Sequence, residues 1–212
     1  MLRVCLHAVC RCLIALLFGY PAVRSACRSQ CMVVANHNSH LDTVMLLRLF
    51  PLSLINRVKV VAAGDYFSHG LGGMAGKALF NMLLLDRRAK NAANAMEPLH
   101  QALREGYSLV LFPEGTRGKP GELQEFKGGI GKLAMEFPDI PVYPVCIHGV
   151  EKSLPRGGII PVPFAIRLEL LDPVFGRDYA ALGPSQGRKA LSATLEQSIR
   201  TALDRNRPTA TE

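Results

Sequence analysis

The chain has 212 residues, enough for one domain with a substantial core or one domain with a small appendage. Its composition is 49% hydrophobic and 20% charged, without a Trp, a low-complexity tract or an internal repeat, which is globular and on the apolar side of average. The net charge of +8 favours anionic partners, but its placement argues against a nucleic-acid groove. Arg3, Arg11, Arg24 and Arg28 all precede the first acid, Asp42, in an apolar segment with few interleaved Lys, Tyr or Phe for base stacking. An anionic membrane surface fits that segment better.

From the amino terminus, Leu13 to Tyr20 is almost wholly apolar, yet His7 and Arg11 interrupt the longer run. A spanning helix needs roughly 20 apolar residues, and an Arg at mid-bilayer costs at least about 3 kcal/mol. Arg24-Ser25-Ala26 is a poor signal-peptide cleavage site. Residues 1–29 therefore read as an amphipathic helix lying in the membrane interface, with Leu6, Leu13, Leu16 and Leu17 on the apolar face and Arg3 and Arg11 reaching for headgroups. Five of the six cysteines (Cys5, Cys10, Cys12, Cys27 and Cys31, with Cys146 the sixth) fall in the first 31 residues, without paired C-x-x-C units, and read as free thiols.

Beyond it, strand-length apolar runs alternate with helical patterns. Strands are expected at Cys31–Ala35, Val58–Ala62, Leu83–Leu85, Leu109–Phe112, Val142–Ile147 and Ala165–Leu171. Helices are expected at Leu41–Phe50, Ala89–Glu105, Gly129–Phe137 and Arg188–Arg205, the last with Leu191, Leu195, Ile199 and Leu203 on one face. The expected fold is a single α/β domain over residues 30–205, with a largely parallel central sheet flanked by helices, followed by a polar, disordered tail at 206–212. Ligands of such a sheet gather where strands end and helices begin.

Two motifs sit at such ends. Asn36-His37-Asn38-Ser39-His40-Leu41-Asp42 follows the first strand. On one continuous helix His37 and Asp42 would lie about 140° apart. They can meet if His37 is in the turn and Asp42 in the first helical turn, as the capping pattern of Ser39 with Asp42 allows. One reading is a capping Asp and an ordinary turn His. The other is a dyad in which an imidazole takes a proton from a hydroxyl and the carboxylate orients it. His37 and His40 both qualify as the base, and His37 is preferred because His40 would already be helical. The second motif is Pro113-Glu114-Gly115-Thr116-Arg117-Gly118. Gly115 lets the backbone approach a ligand, Thr116 can donate to phosphate oxygens, and Arg117 can pair with them in a fork, with Lys119 and Lys127 adding positive potential. A polar surface turn with an internal Glu114–Arg117 pair is the alternative.

Other motifs fail. Gly70 to Lys77 is not a P-loop, since Leu71 and Ala78 occupy required positions, and no G-x-S-x-G occurs. No set of His and acidic residues has metal-ligand spacing, so no metal is expected.

Asn36-His37-x-Ser39-x-x-Asp42, followed about seventy residues later by Phe112-Pro113-Glu114-Gly115-Thr116-Arg117, resembles the glycerolipid acyltransferases, the lysophosphatidic acid (1-acylglycerol-3-phosphate) acyltransferase group in particular. Leu85-Asp86-Arg87, Ile140 to Val145 and Ser153 to Gly157 are similar to further segments of that family. The resemblance implies acyl transfer without an acyl-enzyme. His37 would be the general base and Asp42 its partner, while Arg87, Glu114, Gly115, Thr116 and Arg117 would hold the acceptor phosphate. It implies no cofactor: acyl-CoA or acyl carrier protein would be the donor, and a lysophospholipid, 1-acylglycerol-3-phosphate first, the acceptor. The expected location is the cytoplasmic face of a membrane, held peripherally or monotopically, with no nucleic-acid partner. The chain before the first motif leaves little room for a paired-helix anchor, and a single interfacial helix takes its place. Rival readings are a same-fold acyltransferase acting on another lysolipid and a non-catalytic lipid-phosphate-binding protein. Binding alone needs no His–Asp dyad, which argues against the second.

Overall fold

The computed structural model describes residues 2–18, 27–39, 41–63, 80–85, 92–116, 118, 122–149 and 166–205. It has the expected α/β architecture, and among the described residues there are six strands and five α-helices, α1 (Leu2–Phe18), β1 (Met32–Ala35), α2 (Leu41–Leu46), β2 (Val58–Ala63), β3 (Met82–Leu85), α3 (Ala92–Arg104), β4 (Ser108–Leu111), α4 (Gly129–Glu136), β5 (Val142–His148), β6 (Arg167–Leu170) and α5 (Gly183–Arg205). Short 3-10 stretches at Leu47–Leu49, Leu52–Arg57 and Gly176–Leu182 were not legible in the sequence pattern. The chain divides into two compact units, one of Met1–Val33 and His40–Leu111, the other of Val34–Ser39 and Phe112–Glu212.

In the first unit the strand order runs β3-β2-β4-β1. β2 pairs in parallel with β3, Val60 opposite Met82, and with β4, Val58 opposite Ser108. Strands buried on both faces carry unbroken apolar runs, as the wholly buried Met32–Ala35 and Ser108–Leu111 do. Helix α3 packs on β3 and β4, with Leu99, Ala102 and Leu103 buried. It ends before Gly106, whose φ of +81° suits a left-handed helix stop that other residues adopt at a cost. Gln30 ties the entry to β1 to this helix end by donating to the Leu103 and Tyr107 carbonyls. Cys27 and Cys31 are buried free thiols. A hydrogen bond with Cys27, burial and the Cys27 charge push the Cys31 thiol well above its ordinary value, against a smaller opposing effect of Ser108.

Helix α1 belongs to this unit. Leu2, Leu6, Val9, Leu13 and Leu16 are 82%, 40%, 54%, 52% and 82% exposed, and their spacing of four and three residues puts them on one stripe. The opposite face packs against the 3-10 stretch Leu52–Arg57, where His7 is buried edge-on to Phe80. Leu6, Leu13 and Leu16 were expected on the apolar face, whereas the Leu17 side chain and Arg24 lie outside the described residues. The expectation for Arg11 is corrected. Its guanidinium donates to the Leu47 and Phe50 carbonyls at 2.8 and 2.6 Å. It satisfies backbone oxygens that a short helical stretch leaves open at its end, and it does not reach outward. No helix among the described residues is long and apolar enough to cross a membrane.

In the second unit the order β1-β5-β6 continues from the end of β1. β5 and β6 are antiparallel, Cys146 opposite Glu169. Helix α5 packs against α4 and β5. Its buried face is Leu191, Leu195, Ile199 and Ala202, while Leu203, expected on that face, is half-buried. Gly131 lets α4 and α5 approach: a Cβ there would lie 2.2 Å from the Arg188 carbonyl oxygen. The sequence segments Gly70–Lys77 and Ser153–Gly157 and the tail from residue 206 lie outside the described residues.

Candidate active site

The site in the second unit begins where β1 ends. Asn36, 2% exposed, substitutes its side-chain amide for a strand backbone. It donates from Nδ2 to the Ile147 carbonyl at 3.0 Å and accepts the Ile147 N–H on Oδ1 at 2.8 Å. An Asn can do both because its amide carries the same donor and acceptor as a peptide group. The pairing to β5 is thereby carried one residue past β1 by a side chain, and the chain at His37 leaves the ladder.

His37 is half-buried and enclosed by the second motif. Its ring stacks on Phe112, centroids 4.0 Å apart and planes 21° from parallel. Its backbone N–H donates to Glu114 Oε1 at 2.8 Å. Its carbonyl accepts the Gly118 N–H at 3.0 Å. The ring and both backbone polar groups of His37 are therefore held by residues 112–118.

The turn that does this follows from its residues. Gly115 N–H closes back on the Phe112 carbonyl at 3.0 Å. Gly115 has φ +75°, a conformation natural to glycine. Lys127 donates its backbone N–H to the Pro113 carbonyl, and its side chain passes so close over Gly115 that a Cβ there would meet Nζ at 2.6 Å. Positive charge expected near the turn is thus present at Lys127. Thr116 is exposed, and its hydroxyl donates to Gln124 Oε1 at 3.2 Å. Glu114, also expected in the phosphate turn, is 3% exposed. Its second oxygen, Oε2, accepts the Gln124 N–H at 2.9 Å.

Further along the loop, Phe126 donates its N–H to Glu196 of α5. Burial opposes the Glu196 charge, but that N–H and the Arg200 guanidinium outweigh it and hold the carboxyl below its ordinary value. This fastens the loop to α5.

Of the expected site residues, the second unit brings together His37, Glu114, Gly115 and Thr116. Asp42 belongs to the first unit, where it is 1% exposed in the first turn of α2. Arg87, Arg117, Lys119 and His40 lie outside the described residues, so the helix cap expected at Ser39 is not placed. Sequence reasoning assigned no role to Asn36, Phe112, Gly118 or Gln124. Asn36 and Phe112 stood inside the motifs. Gly118, also inside the second motif, and Gln124 contribute backbone N–H groups, which leave no mark in a sequence, and Gln124 besides accepts the Thr116 hydroxyl. Among the described residues no group of three or more His, Cys, Asp or Glu is placed to hold a metal ion.

The profile of the family described as "Acyltransferase" matches residues 21–148. A "1-acyl-sn-glycerol-3-phosphate acyltransferase" of Limnanthes douglasii is 27% identical over 156 residues, covering 72% of this chain and 53% of that protein. A "Lyso-ornithine lipid O-acyltransferase" of Pseudomonas aeruginosa is 27% identical over 210 residues, covering 89% of this chain and 74% of that protein. The crystal structure of the 1-acyl-sn-glycerophosphate acyltransferase PlsC from Thermotoga maritima superposes with a TM-score of 0.67 at 22% identity, covering 87% of this chain and 69% of that one, a likeness of fold. The chain spans about half the length of the plant relative.

Asn36→Ala removes both bonds to Ile147 and leaves a buried N–H without its partner. It is expected to destabilise the fold by about 1–3 kcal/mol, read as a lower denaturant midpoint at unchanged slope.

Proposed function

Because the chain belongs to the acyltransferase family, we propose that it moves a fatty acyl group from a thioester, acyl-CoA or acyl carrier protein, to the free hydroxyl of a lysophospholipid, 1-acylglycerol-3-phosphate first. The observation that carries this reading is the enclosure of His37 by the second motif, which gathers a proton acceptor and a glycine-bearing turn under Lys127 into one unit.

In this mechanism His37 takes the proton from the acceptor hydroxyl as the oxygen attacks the thioester carbonyl carbon. A carbon–oxygen bond forms, the carbon–sulfur bond breaks, and the departing sulfur recovers the proton from the imidazolium. Asp42 orients the imidazole and steadies its positive charge. Gly115, Thr116 and Arg117, with Arg87, hold the acceptor phosphate, the arginines by planar two-point pairing. The donor is a substrate, and no cofactor enters.

The extensive match to the Pseudomonas protein supports a second reading of the acceptor, a lyso-ornithine lipid. The test is labelled acyl-CoA and acyl carrier protein thioester against a panel of both acceptors. Label in phosphatidic acid is expected, while label in ornithine lipid alone would transfer the assignment to the second reading. His37→Ala should lower the rate by about 10²–10⁴-fold. A folded His37→Ala protein turning over near the wild-type rate would contradict the mechanism.

We also propose that the exposed stripe of α1 rests in the interface of an anionic membrane, on its cytoplasmic face. The acceptor resides there, the stripe from Leu2 to Leu16 carries large apolar side chains toward solvent, and no acid precedes Asp42. Leu6→Glu combined with Leu13→Glu should lower co-sedimentation with anionic vesicles roughly tenfold or more, since burying a Leu side chain is worth about 1.5–3 kcal/mol, and should spare activity on dispersed substrate. Equal co-sedimentation of both proteins would place the membrane contact elsewhere.

A further inference from the structure

Resting on the acyl-transfer reading above, we propose that Glu114 is a positioning residue for His37 and not a ligand of the acceptor phosphate, and that Phe112 shares this task. A carboxylate that binds phosphate only through intervening cations would need an oxygen turned toward the ligand. Glu114 has its oxygens on the backbone N–H groups of His37 and Gln124, at 2.8 and 2.9 Å, and is 3% exposed. A phosphate dianion beside a buried carboxylate would also meet like-charge repulsion in a medium that screens it poorly.

The same geometry suits a clamp. Charge-assisted hydrogen bonds are shorter and about twice as strong as neutral ones. The one at His37 fixes the backbone immediately before the imidazole. Gly118 N–H fixes the other side of the same residue through its carbonyl, and the Phe112 ring sets the plane in which the imidazole lies. Gly118 is small for this purpose: a Cβ would come within 3.2 Å of Glu114 Oε2 and of the Gln124 side chain. Gln124 closes the arrangement from both directions, giving its N–H to Glu114 and receiving the Thr116 hydroxyl. Three contacts thus converge on the base from one loop, and the carboxylate links two of the loop's ends to it.

The experiment compares wild type, Glu114→Gln, Glu114→Asp, Phe112→Leu and His37→Ala in the full chain. The readings are kcat with 1-acylglycerol-3-phosphate and the inhibition constant of 1-acylpropane-1,3-diol 3-phosphate, an acceptor analogue without the reacting hydroxyl. Gln keeps the shape but turns an amide NH₂ toward one of the two N–H donors. Its kcat should fall about 10–100-fold, the scale set by small misplacements of a catalytic group, with the inhibition constant unchanged within about twofold. Asp keeps the charge but is one methylene short of bridging both donors, so it should not restore kcat. Phe112→Leu should show the same split, and it carries the test if Glu114→Gln does not fold. General collapse of the loop would move both readings, because Gly115 and Thr116 belong to it. An inhibition constant weakened as much as kcat, or full activity in Glu114→Asp, would overturn the proposal. So would wild-type kcat in Glu114→Gln while His37→Ala is inactive. Wild-type activity in His37→Ala would instead overturn the acyl-transfer reading itself.

Discussion

One buried carboxylate holds the site together. Glu114 accepts N–H groups from His37 and from Gln124, residues between which the chain runs through the whole His40–Leu111 segment of the first unit. A buried charge is costly unless it is hydrogen-bonded, and removing either partner exposes that cost. The bonds therefore constrain in both directions: the loop cannot rearrange without stranding the carboxylate, and His37 cannot shift without releasing it. The stacked Phe112 ring and the Gly118 bond to the His37 carbonyl act within limits already set by this link.

The link is useful because His37 stands just beyond the last residue that pairs with β5. β1 is wholly buried and its backbone is committed to neighbours. Asn36 then imitates one further step of strand pairing with its side chain, which lets the backbone turn away while the buried Ile147 groups remain satisfied. The rigid strand ends, and after one further residue His37 follows, on a backbone fixed by the neighbouring loop. A site on a strand end gains its precision from such supporting contacts. The loop is in turn fastened to α5, through Phe126 and Glu196.

Much of this was legible in the residues. Continuous apolar runs such as Met32–Ala35 and Ser108–Leu111 announce strands buried on both faces, and all six described strands begin and end within two residues of the expected runs. The α5 helix extends five residues further toward its amino terminus than its apolar periodicity, because Gly183 to Gly187 contribute turns of helix without large side chains. The two motifs mark the loops that enclose His37, but residue type alone misjudged the direction of one charged side chain. Arg11 looked like a headgroup ligand and is spent on carbonyls of Leu47 and Phe50. Glu114 stands in the expected phosphate turn, and its two oxygens lie on the backbone N–H groups of His37 and Gln124. An acid or a base in a motif shows that charge is needed, whereas its direction depends on backbone groups whose positions only the fold supplies. Gln124 is the extreme case, since any residue but proline offers the same N–H.

The central claim is that the His37 amide is bound to a buried carboxylate in the resting protein. Its hydrogen exchange, followed by NMR in the full chain without substrate, tests this most directly. Loop amides exchange nearly as fast as in an unfolded chain unless a bond must open first. The account predicts a protected His37 amide, exchanging far more slowly than the amide of the exposed Thr116. Exchange of His37 at the rate of an open loop residue would contradict it.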